Sequence, residues 1–283
     1  MYYTRYLLYC QIHNLDLFDN INSGDIMKKI LITGARSGMI YPVIQRLKNN
    51  YRLYVTVHTD SEAKSIKKIY KDDKNIECLK LDVTKDLNKV NKLDIDALVC
   101  NAAIAESGSL FEIPLDKVKE NFNVNVFSNM DLIQRVSKKM IEKGKGRIVI
   151  ISSLTSKIPI PFLGSYSGTK ATLSSFARTL YYESKLLASN LDIVLVEPGL
   201  YRTGFNKLAF DKKYDFMDSN SFFDTQIELI RSAENIYLWL FQKRSLKSIA
   251  NKIYEAITCE FPKFRYSAPF SHNLFAKIFN LFY

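Results

Sequence analysis

Short apolar runs alternate along this chain with longer stretches in which apolar residues recur every three or four positions. Ile30–Thr33, Leu53–His58, Cys78–Leu81, Ala97–Cys100, Arg147–Ser152 and Asp192–Val196 read as buried strands. Met39–Lys48, Glu62–Tyr70 and Tyr166–Leu187 read as helices, and Pro114–Met140 as one long or broken helical region. Unbroken apolar runs are what a strand covered on both faces needs, and the period of three to four is that of a helix with one buried face. Strand and helix in alternation predict a parallel sheet with helices on both sides, a three-layer α/β/α domain. Right-handed crossovers make such a sheet doubly wound, with ligands at the carboxyl ends of its strands.

No repeat, low-complexity segment or linker divides the chain, so the 283 residues are expected to form a single domain. Residues 1–26, rich in Tyr and Asn, fit no element. They read either as a loosely attached arm or as an over-extended start, since Met27-Lys28-Lys29 directly precedes the first strong strand. The domain is therefore expected over 27–283. Its tail, Phe270–Tyr283, is apolar on most sides; it can cover a pocket, enter a subunit contact or lie on a membrane surface.

The net charge of +11 comes from lysines spread through nearly every segment. The densest run, Lys64 to Lys74, is diluted by Asp72 and Asp73, which describes a solvated basic face and argues against a nucleic-acid surface. Cys10, Cys78, Cys100 and Cys259 have no paired spacing, and His13, His58 and His272 lie far apart, so neither a disulfide framework nor a metal site is expected. That usage fits the cytoplasm. No apolar stretch approaches the roughly 20 residues that span a bilayer.

Two segments carry chemistry. The first is the turn Gly34-Ala35-Arg36-Ser37-Gly38-Met39, between the first strand and its helix. Glycines there let backbone approach a pyrophosphate, and the helix N-terminus offers N–H donors. The second is Ser153, followed after twelve residues by Tyr166-Ser167-Gly168-Thr169-Lys170. Tyr and Lys four apart share a helix face. An ammonium beside a phenol favours the phenolate, pulling its pKa down from about 10 and making Tyr166 a general acid/base. Ser153 can then hold a substrate oxygen beside it.

Together these segments resemble the short-chain dehydrogenase/reductase family over roughly Met27 to Thr203, with the Ser/Tyr/Lys spacing the most specific part. The resemblance implies a Rossmann-type fold and catalytic roles for Ser153, Tyr166, Lys170 and Asn125, the last holding a proton-relay water. It implies that Thr33, Gly34, Arg36, Ser37, Gly38 and Met39 hold the cofactor diphosphate, and that Asp82 and Val83 contact the adenine. Asn101 and Ala102, after the fourth strand, with Pro198, Gly199 and Thr203, match further cofactor-contacting segments. Two family glycines are replaced, by Ile40 and by Ala103, and the interval from Asp82 to Asn101 is short enough to trim its helix to a turn. Taken singly, Asp82 reads equally as a helix cap, Asn101 as a strand-end turn and Pro198-Gly199 as a breaker.

The second strand ends at His58-Thr59, where NAD-preferring folds of this kind place a carboxylate. With none there to repel a 2′-phosphate, and with Arg36, Thr59 and Ser61 near, NADP is expected over NAD. The expected reaction is NAD(P)-dependent reduction of a carbonyl to an alcohol, or the reverse, on an apolar small molecule. Phe205, Phe210, Phe216, Phe222 and Phe223 belong to a lid over about 200–232, and a homodimer or homotetramer is expected. A nucleotide-binding regulatory protein without turnover is the alternative, supported by Ile40 and Ala103. A dehydratase or epimerase on the same fold would carry another glycine spacing and more acid/base groups around the Tyr.

Overall fold

The computed structural model describes residues 27–217 and 220–281; the expectation for residues 1–26 lies outside these. Seven parallel strands form one sheet: β1 (Lys29–Ile32), β2 (Arg52–Val57), β3 (Ile76–Lys80), β4 (Ala97–Cys100), β5 (Lys145–Ile151), β6 (Asn190–Pro198) and β7 (Arg265–Ala268). Their order is β3-β2-β1-β4-β5-β6-β7. The sheet is doubly wound, and its order reverses between β1 and β4, which opens a crevice at the carboxyl ends of those strands.

The strands alternate their side chains between two cores. Ile30 and Ile32 of β1, with Val149 and Ile151 of β5, bury on one face under helices α1 (Tyr41–Leu47), α2 (Asp60–Ile69) and α8 (Lys247–Thr258). Leu31, Ile148 and Ile150 bury on the other, under α4 (Ser128–Glu142) and α5 (Gly164–Ser184). Both faces are covered, so both halves of the alternation are apolar.

Helix ends explain several differences from the sequence reading. Residues 39 and 40 lie in the turn before α1, which opens with Pro42 in its first turn. α2 starts two residues early because Thr59 caps it: the Thr59 side chain accepts from Glu62 N, and the Glu62 carboxylate returns to the Thr59 N–H. The region 114–140 is broken: α3 (Leu115–Phe122) passes through a π-helical turn (Asn123–Phe127) into α4. The segment between Asp82 and Asn101 is trimmed to a 3₁₀ turn, Leu87–Lys92. Beyond β6 lie α6 (Phe205–Asp211), α7 (Ile227–Phe241), α8, β7 and α9 (Phe270–Phe279).

Candidate active site

The first strand delivers the chain to a turn that only glycine fits. Gly34 has φ +67°, and a Cβ there would stand 2.9 Å from the Ala102 Cα. Thr33 and Asn101 hold this turn from beneath. The Thr33 hydroxyl donates to Val99 O and accepts from the N–H groups of Asn101 and Ala102, while Asn101 Nδ2 donates to the carbonyls of Thr33 (3.0 Å) and Gly34 (2.9 Å). Thr33 is fully buried, so it positions the turn from within the core. Ile40 is fully buried too, part of the core under α1.

A cleft of about 850 Å³ runs from this turn across the strand ends to the lid. Gly34, Arg36, Ser37, Gly38, Met39, His58, Val83, Asn101, Ala102, Ser153, Tyr166, Lys170, Pro198, Gly199 and Thr203 all line it. Among the catalytic and cofactor candidates singled out in the sequence, Thr33, Thr59, Ser61, Asp82 and Asn125 do not. Asp82 accepts from Thr84 N (2.9 Å) and Thr84 Oγ1 (2.7 Å), and Thr59 caps α2. Asn125, in the π-helical turn, bonds both backbone groups of Ile104 at 2.9 Å and donates to Thr169 at 3.1 Å. It thus ties the segment after β4 to α5.

At the centre of the cleft, Ser152 and Ser153 divide their tasks. Ser152 is buried and bonded to Lys170 O and Ser174, each at 2.8 Å, which fixes α5 against β5. Ser153 lines the cleft together with Tyr166 and accepts from Thr155 N at 3.1 Å. Lys170 donates to Ile151 O at 3.0 Å and lies 5.6 Å from the Tyr166 ring centre. Burial dominates both groups: it raises the Tyr166 phenol, against the smaller lowering influence of the Ser153 hydroxyl, and it brings Lys170 down to about 8. This corrects the expectation that the lysine lowers the phenol: removal from water raises Tyr166, and Lys170 is not among the groups that act on it.

One correction concerns the ribose end. The second strand carries no carboxylate itself, but Glu62 brings one back to it. Its Oε2 accepts from the N–H groups of His58 and Thr59, each at 3.0 Å, and its Oε1 accepts from Arg36 at 2.7 Å. Partial burial works to raise the Glu62 carboxyl, and the bonds from Thr59, Arg36 and His58 outweigh it, holding it below the ordinary value. Glu62 lines the cleft. The capping-box spacing Thr59-x-x-Glu62 was the signal that sequence reasoning missed.

Aromatic and apolar residues that line the cleft also lie beyond 232. Phe205 and Phe210 line the cleft, as do Tyr237, Leu240 and Phe241 from α7 and His272 and Phe275 from α9. Phe216, Phe222 and Phe223 do not line it. Tyr166 packs into a small cluster with Leu163, Phe210 and Leu238, its ring 5.8 Å from that of Phe205. His272 Nδ1 accepts from Leu200 N at 3.2 Å, docking α9 on the Pro198-Gly199 turn.

The glycine turn at a strand end, the adjoining helix start and the Ser/Tyr/Lys group beyond them line one cleft at the carboxyl ends of the strands, the place where doubly wound sheets bind dinucleotides. Such a fold and site define an NAD(P)-dependent oxidoreductase. Residues 28–213 match the family model for short chain dehydrogenases, and the chain belongs to that family. It is 31% identical over 192 residues to the 3-oxoacyl-(acyl-carrier-protein) reductase FabG of Rickettsia conorii, covering 66% of this chain and 78% of the relative. It is 25% identical to the NADPH-dependent 3-dehydrocapnine reductase of Ornithobacterium rhinotracheale, over 85% of this chain and 87% of that one. A short chain dehydrogenase/reductase from Burkholderia phymatum in complex with NAD superposes with a TM-score of 0.73 at 18% identity, covering 88% of this chain and 92% of that one. The protein is a short-chain dehydrogenase/reductase acting between C=O and CH–OH groups.

Proposed function

We propose that the protein reduces an apolar carbonyl compound, or oxidises the corresponding alcohol, with Tyr166 as proton donor and NADP as the favoured cofactor. The observation that carries this reading is the convergence of Ser153, Tyr166 and buried Lys170 in one cleft beside the aromatic residues Phe205 and Phe210.

Bound nicotinamide supplies the hydride that reaches the carbonyl carbon. The Ser153 hydroxyl donates a hydrogen bond to the carbonyl oxygen, and the Tyr166 O–H transfers its proton to that oxygen as the alcohol forms. Burial keeps Tyr166 protonated, the state a donor needs. Lys170 would return the proton and bond the ribose of a bound nicotinamide cofactor. Asn125 acts on this traffic through Ile104 and Thr169, which it ties together beside Lys170. Gly34, Ser37, Gly38 and Met39 would hold the diphosphate, Val83 the adenine, and Pro198, Gly199 and Thr203 the nicotinamide end, all of them lining the cleft.

For NADP, Arg36 must leave Glu62 and take the 2′-phosphate. The NADPH-dependent relative supports this choice, and Glu62 sets its cost. An apolar substrate is supported by Ile158, Ile160, Phe205, Phe210 and Tyr237 around Tyr166. Exposed Phe127, Phe176 and Tyr182 support self-association, and free buried Cys78 and Cys100 support the cytoplasm. The test is NADPH oxidation over a panel of ketones, aldehydes and quinones graded in polarity. Turnover confined to polar members would remove the apolar assignment, and NADPH binding without any turnover would favour a regulatory protein.

A further inference from the structure

The apolar surface at the mouth of the cleft is larger than the chemistry inside it needs. Leu240 and Phe241 of α7 and Phe275 of α9 line the cleft and are yet about half exposed or more, so they form its rim. From that rim the surface continues along both helices. Trp239 on α7 is 76% exposed and Phe270 on α9 is 77% exposed, with Ile236 and Ile278 beyond them. Phe270, Leu274 and Ile278 recur every four residues, a single stripe on α9. The bond from Leu200 N to His272 holds that helix at the mouth. A patch of this kind on a folded chain marks an interaction site.

Its charge selects the occupant. Residues 235–283 hold seven Lys and Arg and only two Asp and Glu, Glu255 and Glu260. Lys243, Arg244 and Lys247 follow α7 directly, Lys277 lies in the last turn of α9, and none of the four makes an ion pair among the described residues. A second copy seated on the same face would bring these cations against their own duplicates. An anionic lipid surface meets them with phosphates while its hydrocarbon receives the rings.

We propose that this face docks on an anionic lipid bilayer, with the mouth of the cleft turned to the acyl region. The docking proposed is of a folded surface, and no described helix is long and apolar enough to cross a membrane. Binding is read without turnover, so failure of the proposal is distinct from failure of the assigned reaction.

The experiment uses the full chain with phosphatidylcholine vesicles, with and without about one-third phosphatidylglycerol. Trp239 is the single tryptophan of the chain, which makes its emission a reporter of this face. Co-sedimentation with the anionic vesicles is expected to be at least about tenfold stronger, with blue-shifted emission quenched by brominated acyl chains. Arg244→Glu with Lys247→Glu should weaken binding by about fivefold or more per cation lost, and salt should act in the same direction. Phe270→Asp, checked for fold by circular dichroism, should remove the blue shift. Unchanged Trp239 emission with both vesicles would overturn the proposal. So would undiminished binding by either variant, or lipid-independent self-association that covers Trp239.

Discussion

Arg36 and Glu62 form an ion pair at 2.7 Å at the edge of the cleft, joining the glycine turn to the start of α2. The pair sets two demands on one cation, because the arginine that would meet a 2′-phosphate is already neutralised. Glu62→Gln should tighten NADPH several-fold and leave NADH nearly unchanged. Arg36→Ala should weaken NADPH by about tenfold, the loss of one exposed charge-assisted contact. Nicotinamide fluorescence titration reads both; tighter NADH than NADPH in the wild type would reverse the cofactor assignment.

Tyr166→Phe deletes one oxygen while keeping the ring among Leu163, Phe205 and Phe210. Cofactor affinity should stay near wild type while single-turnover hydride transfer falls by about 10²–10⁴-fold. Full activity in this variant would falsify the assigned proton donor.

Lys170 has its pKa brought from 10.5 to about 8 by burial. Between those values the unfolded chain binds the extra proton, so stability rises with pH across that window. Below about 8 both states are charged, and the burial cost stands in full. Lys170→Met should therefore raise the melting temperature at pH 7, by an amount equivalent to about 3 kcal/mol at most. The gain should fade toward pH 10, while cofactor binding weakens at every pH. Thermal melts of both proteins across pH 6–10 check the slope.

Gly34→Ala forces a Cβ to within 2.9 Å of the Ala102 Cα at φ +67°. Both the clash and the backbone angle oppose it, and a loss of about 2 kcal/mol is expected together with weaker binding of either nucleotide. An alanine variant with wild-type melting and affinity would show that β1 and β4 separate easily at this point.

Lys213, with a fully buried side chain, meets Glu234 Oε1 of α7 at 2.7 Å, and Tyr214 donates to the same carboxylate at 2.9 Å. Glu234→Ala strands a buried ammonium and should cost about 3–5 kcal/mol. The double variant Lys213→Met with Glu234→Met should recover much of that loss. Urea titrations of the three proteins separate pairing from packing.

The strands and the Ser153, Tyr166, Lys170 group were legible along the chain because their signals are local. A strand buried on both faces is an apolar run, and a helix brings residues four apart to one face whatever surrounds it. The glycine turn was legible for a similar reason, since Gly34 sits between a strand and a helix. Tertiary structure alone decided the rest. Glu62 lines the cleft only because a capping box folds its carboxylate back over the end of β2. Thr33 and Asn101 became a staple because β1 and β4 are neighbours in space and far apart in sequence. His272 and Phe275 reached the cleft by way of α9, whose position no short-range pattern encodes. The same holds for charge: the attraction of lysine for phenolate follows from their spacing, but how deeply both are removed from water is set by the lid, and that burial governs their protonation.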